Sequence, residues 1–323
     1  MRWLLRVLFA AGLLVAVYLM SRTGFGATAQ LLADAGWKLL LLVPLHAAPL
    51  FLDVVGWYVL VVPRNRLGTL FFIATVREAF NRLLPVANIG GELAGIRMLT
   101  QRGTDPNVAA ASIVVETLIN LMAQFLFVSL GAFSLLQLTS SISLAAGMKV
   151  TLTVAILALA ALYLILRYGS VFESIDTLAR RIAAGATGSR WKARGARLDD
   201  AIRRILVQRR SLAIALAWQF SGLMLGCLET WLALRWLGHP VGWLAALVLE
   251  SSTQAIRHFI FFVPAGLGVQ EAGLILAGQV LGIEAQAVIA LSLAKRMREV
   301  LFGLPALMMW VLARPRVILR TDS

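Results

Sequence analysis

The chain has 323 residues, of which 60% are hydrophobic and only 14% charged, and its mean hydropathy is +0.83. Soluble globular chains carry about 25% charged residues, so the composition excludes an ordinary soluble enzyme and defines a polytopic membrane protein. A net charge of +14 does not indicate nucleic-acid binding, because the basic residues sit at the ends and loops of apolar segments, where the positive-inside rule places them.

Helices are the expected form, since they satisfy their own backbone inside a bilayer. The short alternating segments of a β-barrel are missing from the sequence. Runs of about 20 apolar residues, the length a spanning helix needs, occur at 3–20, 38–62, 107–137, 146–167, 211–237 and 285–313. The first follows Arg2 and Arg6, and Ala27-Thr28-Ala29 resembles a signal-peptidase site. We read it as an uncleaved span, because the run is long for a signal core and Arg22 intervenes. The single cysteine, Cys227, lies in an apolar run and permits no internal disulfide, and the three histidines, His46, His239 and His258, lack metal-ligand spacing.

Two further stretches, 69–104 and 243–283, are apolar but interrupted by glycine, proline and charge. They predict re-entrant or broken helical hairpins, which survive at membrane depth only inside protein or around a wet cavity. The fold class expected is therefore all-α, with about six spanning helices, two such hairpins, and a single transmembrane domain over 1–323. Residues 169–210 hold ten basic residues against four acidic, so that loop is expected to be cytoplasmic, as are both termini. Its segment "SIDTLARRIAAG" suits a helix on the anionic inner leaflet. This orientation gives the units 38–137 and 211–313 opposite topology.

The sequence carries a matching internal repeat. "LPVANIGGELAGI" (84–96) and "VPAGLGVQEAGLI" (263–275) share a frame in which Pro85 and Pro264 are separated by 264 − 85 = 179. At the same offset Glu92 meets Glu271, Ile96 meets Ile275, Gly103 meets Gly282, Ala111 meets Ala290, Glu116 meets Lys295 and Asn120 meets Glu299. Paired broken helices in inverted repeats are a transporter architecture with the site near the midplane. Pro85, Gly90 and Gly91 in one unit, and Pro264, Gly266 and Gly268 in the other, are expected to break the helices.

Charge in the spans marks the candidate site. Ser112, Glu116, Asn120 and Gln124 recur every four residues and form one helical stripe. Lys295, Arg296, Arg298 and Glu299 sit in the middle of 285–313. Three basic residues facing lipid would cost about 8–10 kcal/mol on insertion scales, so they are expected to face a polar interior and to pair with carboxylates, of which Glu92, Glu116, Glu271 and Glu299 are available. Glu78, Asn81, Arg82 and Arg97 in the first broken element, and Arg257 in the second, complete the candidate substrate-binding residues. Arg77, Glu250 and His258 lie in the same approaches, and His46 and Asp53 form a packed polar pair or a proton relay. No hydrolase, zinc or nucleotide motif is present, and no cofactor is expected.

These residues resemble a family. "VPAGLGVQEAGLILAGQVLGI" is similar to the Pro-Gly-Gly-Leu-Gly-x-x-Glu signature of the lysylphosphatidylglycerol synthase transmembrane region, the flippase-like domain. Pro264, Gly266, Gly268 and Glu271 occupy its positions, and Ala265 stands where many members have glycine. "REAFNRLLPVANIGGELAGIRML" (77–99) resembles the hopanoid-biosynthesis-associated branch. The full synthase carries a soluble aminoacyltransferase domain after its membrane part, whereas about ten residues follow the last span here, so the synthase activity is not implied. The resemblance implies a bacterial inner-membrane protein moving hopanoids or a related polar lipid. The alternatives are an intramembrane lipid-modifying enzyme with Glu92 or Glu271 as base, a docking subunit of a lipid-biosynthesis complex, and an ion-coupled small-solute transporter resting on His46 and Asp53.

Overall fold

The computed structural model describes residues 25–61, 65–83, 90–139, 189–259 and 268–312, with short helical pieces between 153 and 169. The expected first span at 3–20, the "SIDTLARRIAAG" segment, most of 146–167, and Pro85, Pro264 and Gly266 lie outside these residues. The described residues are helical, with no strand among them.

The chain enters through α1 (Phe25–Ala35), passes a 3-10 turn at Gly36–Leu41 and continues as α2 (Leu42–Leu60). The helical path thus starts earlier than the expected 38–62, because Gly36 (φ 55) and the 3-10 turn it opens bend the path without stopping it. The first broken segment is a hairpin of α3 (Leu67–Leu83) and α4 (Gly90–Gln101), followed by the long α5 (Pro106–Thr139). An amphipathic α6 (Ser189–Leu206) precedes α7 (Arg209–Trp236). The second broken segment is a hairpin of α8 (Trp243–Phe259) and α9 (Val269–Val280), and α10 (Ala285–Leu312) closes the described chain.

Local chemistry explains these boundaries. Asp105 caps α5, its Oδ1 accepting the N–H of Asn107 at 2.8 Å and of Val108 at 3.2 Å, with Pro106 in the first helical position, where its missing N–H costs nothing. Gly103 (φ 89) ends α4 and Gly282 (φ 70) ends α9. The turns are the same: Thr104 N–H donates to Leu99 O at 3.2 Å, and Ile283 N–H to Gly278 O at 2.8 Å, the wrap that a left-handed glycine permits. Shifting Gly90–Gln101 and Pro106 by the sequence offset of 179 lands on Val269–Val280 and Ala285, so the element starts and ends repeat with the residues.

Among the described residues, three helices are long and apolar enough to cross a membrane: Gly26–Leu60, Pro106–Leu138 and Arg209–Trp236. α10 has the length, at 28 residues, but its mid-helix charges break the apolar run. Exposed large apolar side chains line its outer half, among them Leu301, Leu304, Met308 and Leu312, as a lipid-facing surface requires.

Packing places the hairpins centrally. α2 and α7 cross antiparallel: His46 faces Glu229 near one end, and Gly56 meets Ala215 and Gln219 toward the other. The first arm of each hairpin leans on the far unit, α3 against α10 and α8 against α5. Trp57, Phe127, Leu70 and Ile73 are fully buried among these helices. α6 lies along α5, burying Ile202, Ile205 and Leu206 against Val115, Leu118 and Ile119. Cys227 is a buried free thiol, packed with Ala123, Phe127 and Leu247.

Candidate functional site

The mid-helix charges of α10 do not pair with one another alone; they fan out to three helices. Arg298 Nη1 donates to both oxygens of Glu229 on α7, at 2.5 and 2.6 Å. Lys295 donates to Glu250 on α8 and to Thr230 Oγ1 at 2.7 Å. Arg296 Nη2 lies 2.7 Å from Glu271 on α9. A buried charge is tolerated only when paired and hydrogen-bonded, and each of these is.

Around Arg298 the largest network forms. Arg298 Nη1 also lies 2.9 Å from His46 Nδ1, and His46 Nε2 lies 3.0 Å from Glu78 Oε1. An arginine can only donate, so Nδ1 presents its lone pair to Arg298 and the ring proton sits on Nε2, facing Glu78. The His46 ring stands edge-on to Phe302 at 5.1 Å. Glu78 continues to Arg82 at 3.6 Å. Glu299 Oε1 gathers Arg257 Nη2 at 2.6 Å, Arg298 Nη2 at 3.5 Å and Arg82 Nη1 at 3.9 Å. Arg257 Nε also donates to Gln270 Oε1 at 3.0 Å. Arg82 and Arg257 stand in the last turns of α3 and α8, so both hairpins present their ends to one carboxylate of α10.

A second network lies inside the first hairpin. Arg77 Nη2 donates to Glu92 Oε2 at 2.5 Å and to Glu116 Oε2 at 2.6 Å, with its guanidinium 4.8 Å from the Trp57 ring. Asn81 Nδ2 donates to Glu92 at 3.4 Å, and Asn81 Oδ1 accepts the Gly91 N–H at 3.1 Å.

Of the residues expected from sequence, Glu78, Arg82, Arg257, Arg298 and Glu299 meet in the central network. Asn81, Glu92 and Glu116 meet at Arg77, and Lys295 sits apart with Glu250. Glu271 is a helix-start residue: Oε2 accepts the Gly268 N–H at 2.8 Å and Oε1 accepts the Ser292 hydroxyl at 3.1 Å. The two repeat glutamates therefore do not face each other across the midplane; each is held within its own unit, in the first turn of α4 or α9, where a helix favours negative charge. Arg97 is exposed and half-buried Asn120 lies outside these networks. His46 and Asp53 do not pair, because both ring nitrogens of His46 are taken by Arg298, Glu229 and Glu78. Glu229 and Gln270 were not anticipated. Glu229 had a readable signal, as the one acidic residue in the apolar run 211–237, and intramembrane ionisable residues mark sites by default.

A chain whose described residues are helical, with several apolar spans, paired charges in its interior and an apolar outer surface, is a multi-pass integral membrane protein. The family model for the lysylphosphatidylglycerol synthase TM region matches residues 3–306, and the chain belongs to that family. No curated protein and no solved structure matches it.

Proposed function

We propose that this protein is a non-enzymatic lipid transporter of the bacterial inner membrane, moving hopanoids or a related polar lipid between leaflets or toward the outer membrane. The observation that carries this reading is the central network, in which Arg82, Arg257 and Arg298 alternate with Glu78, Glu229 and Glu299 around His46. Charges of both signs, held in an apolar bundle where two hairpins end, suit a polar headgroup that trades places with an ion pair while its tail stays in lipid. Family membership supports the assignment to lipid.

The architecture we infer has about six spans and an inverted repeat of 38–137 and 211–313. Three features support it. Element boundaries recur at the offset of 179. α2 and α7, the first helices of the two units, run antiparallel. The close pairs Ala79–Gly303 and Ser251–Gly131 have sequence numbers of equal sum, as a two-fold exchange of hairpin arms requires. In this reading α10 spans despite its charges, because they are paired inward. Both termini and α6 lie on the cytoplasmic side, with exposed Arg197 and Arg204 of α6 toward the anionic leaflet. Partners in lipid biosynthesis or transport would meet that face.

The test is leaflet exchange of labelled phospholipid and hopanoid in proteoliposomes. Exchange above that of protein-free vesicles, reduced in folded Arg257→Gln, supports transport. Rates equal to protein-free vesicles overturn it. A second reading, an intramembrane lipid-modifying enzyme, is favoured by His46, whose Nε2 is oriented by Glu78 and whose Nδ1 lone pair, facing Arg298, is the one a general base would use. It predicts a new lipid species by mass spectrometry on incubation with membrane lipid, and transport predicts none.

A further inference from the structure

The central networks leave one half-buried acid unexplained. Asp53 lies mid-helix on α2 and forms no ion pair or hydrogen bond among the described residues, and its Oδ1 is buried. It is aimed at α7: a side-chain carbon built on Gly222 would stand 2.7 Å from that oxygen. From the other side, Gln219 on α7 is aimed at α2, its Cγ 3.3 Å from a carbon built on Gly56. Gln219 is 0% exposed, and neither its amide oxygen nor its amide nitrogen has a partner among the described residues. One turn beyond Asp53, Trp57 is 1% exposed and its indole Nε1–H is also unpartnered. Among the described residues, three enclosed polar atoms at the α2–α7 contact, Asp53 Oδ1 and both Gln219 amide atoms, and the indole N–H of Trp57 one turn along α2 thus have no partner, where buried polar atoms are ordinarily bonded.

Among the described residues, no uncommitted cation faces Asp53. The charged groups around it are Glu116 on α5, Glu78 and Arg77 on α3 and His46 on α2. Arg77 is committed to Glu92 and Glu116, and His46 to Glu78, Glu229 and Arg298. The residue α7 brings to the same stretch, Gln219, is uncharged. An isolated carboxylate at this depth demands a counter-charge. A proton would serve Asp53 and leave both Gln219 atoms unserved. A hard monovalent ion selects oxygen ligands, here Asp53 Oδ1 and Gln219 Oε1, and its bound waters can accept from Gln219 Nε2 and Trp57 Nε1.

We propose that the α2–α7 seam is a binding site for a hydrated alkali-metal cation, held by Asp53 and Gln219. This does not rest on the lipid reading. It supplies a route by which an ion gradient couples to movements of α2 against α7.

The experiment uses the full chain purified in nanodiscs. Thermal unfolding is followed at fixed pH in LiCl, NaCl, KCl or choline chloride at constant ionic strength, with 22Na+ binding measured in parallel. The wild type is expected to be stabilised saturably by at least one alkali ion and not by choline. Asp53→Asn is expected to abolish the response, and Gln219→Leu to weaken apparent affinity about tenfold or more. Gln219→Leu removes only unpartnered polar atoms, so folding is retained and that variant decides if Asp53→Asn fails to fold. Equal behaviour in all four salts, a response to pH alone, or alkali binding unchanged in the variants overturns the proposal.

Discussion

Arg257 Nη2 and Glu299 Oε1 lie 2.6 Å apart across 42 residues of sequence, joining the end of the second hairpin's first arm to the middle of α10. The same oxygen lies 3.9 Å from Arg82, at the end of the first hairpin's first arm. One carboxylate thereby ties two elements that are 179 positions apart in the repeat frame, and any movement of either hairpin must remake its contacts.

Glu299→Gln removes the charge and keeps the shape, leaving Arg82 and Arg257 facing a neutral amide. Breaking a buried pair from one side costs about 3–5 kcal/mol. A denaturant or thermal melt in detergent is expected to show a loss of that order. A double-mutant cycle with Arg257→Gln is expected to return a coupling of about 0.5–3 kcal/mol. Additive single losses would mean that the pair is not formed in the membrane.

Lys295 and Glu250 behave differently, because they have few dependents. Glu250 accepts from Lys295, from Thr230 Oγ1 at 2.5 Å and from Gln254 at 2.9 Å. Lys295→Met is expected to cost about 3–5 kcal/mol, whereas Lys295→Met with Glu250→Met is expected to be near neutral or stabilising, since the charges lose their desolvation penalty together. Unfolding midpoints of the three variants check this. A double variant as damaged as the single one would place these charges in a functional path or a wider network.

The membrane class and the two interrupted segments were legible because each is local: apolar runs and helix-breaking glycines are properties of short windows. The charge partners were not. Lys295, Arg296 and Arg298 are neighbours on one helix, yet they reach Glu250, Glu271 and Glu229 on three others, and only the three-dimensional fan of those helices assigns them. Glu92 and Glu271 recur after a break in each unit, as carboxylates available to the mid-span charges. The same recurrence follows from first-turn chemistry, as the Gly268 N–H bonded to Glu271 shows. The α6 helix hid in a basic loop whose charge outweighed its Ile202-Ile205-Leu206 stripe.

That stripe yields its own expectation. Ile202 and Leu206 are fully buried against α5, while Arg204 is exposed. Leu206→Ala is expected to cost about 2–5 kcal/mol by opening a cavity, and Arg204→Ala to change stability by no more than about 0.5 kcal/mol. Limited trypsin digestion gives a second readout: detachment of α6 in Leu206→Ala should speed cleavage at Arg203 and Arg209. Equal digestion rates would mean that α6 is held by the bilayer rather than by α5.

The first hairpin closes on glycine, and substitutions separate packing from backbone conformation there. A carbon added at Gly91 would stand 2.6 Å from Asn81 Oδ1 and still closer to the Arg77 carbonyl, so α4 could not stay where Gly91 N–H reaches Asn81 and Glu92 reaches Arg77. Gly91→Ala is expected to cost about 1–3 kcal/mol by overpacking. Gly103 has open space but a φ of 89°, so Gly103→Ala is expected to cost about 1–2 kcal/mol through the backbone alone. Gly68, near the start of α3, has open space and an ordinary φ, and Gly68→Ala is expected to stabilise by about 0.5–1 kcal/mol. Melting the three variants side by side tests the hairpin geometry by sign. The discriminating partner is Asn81→Ala. Combined with Gly91→Ala it should recover part of the loss, because one clashing atom is gone, whereas combined with Gly103→Ala it should simply add.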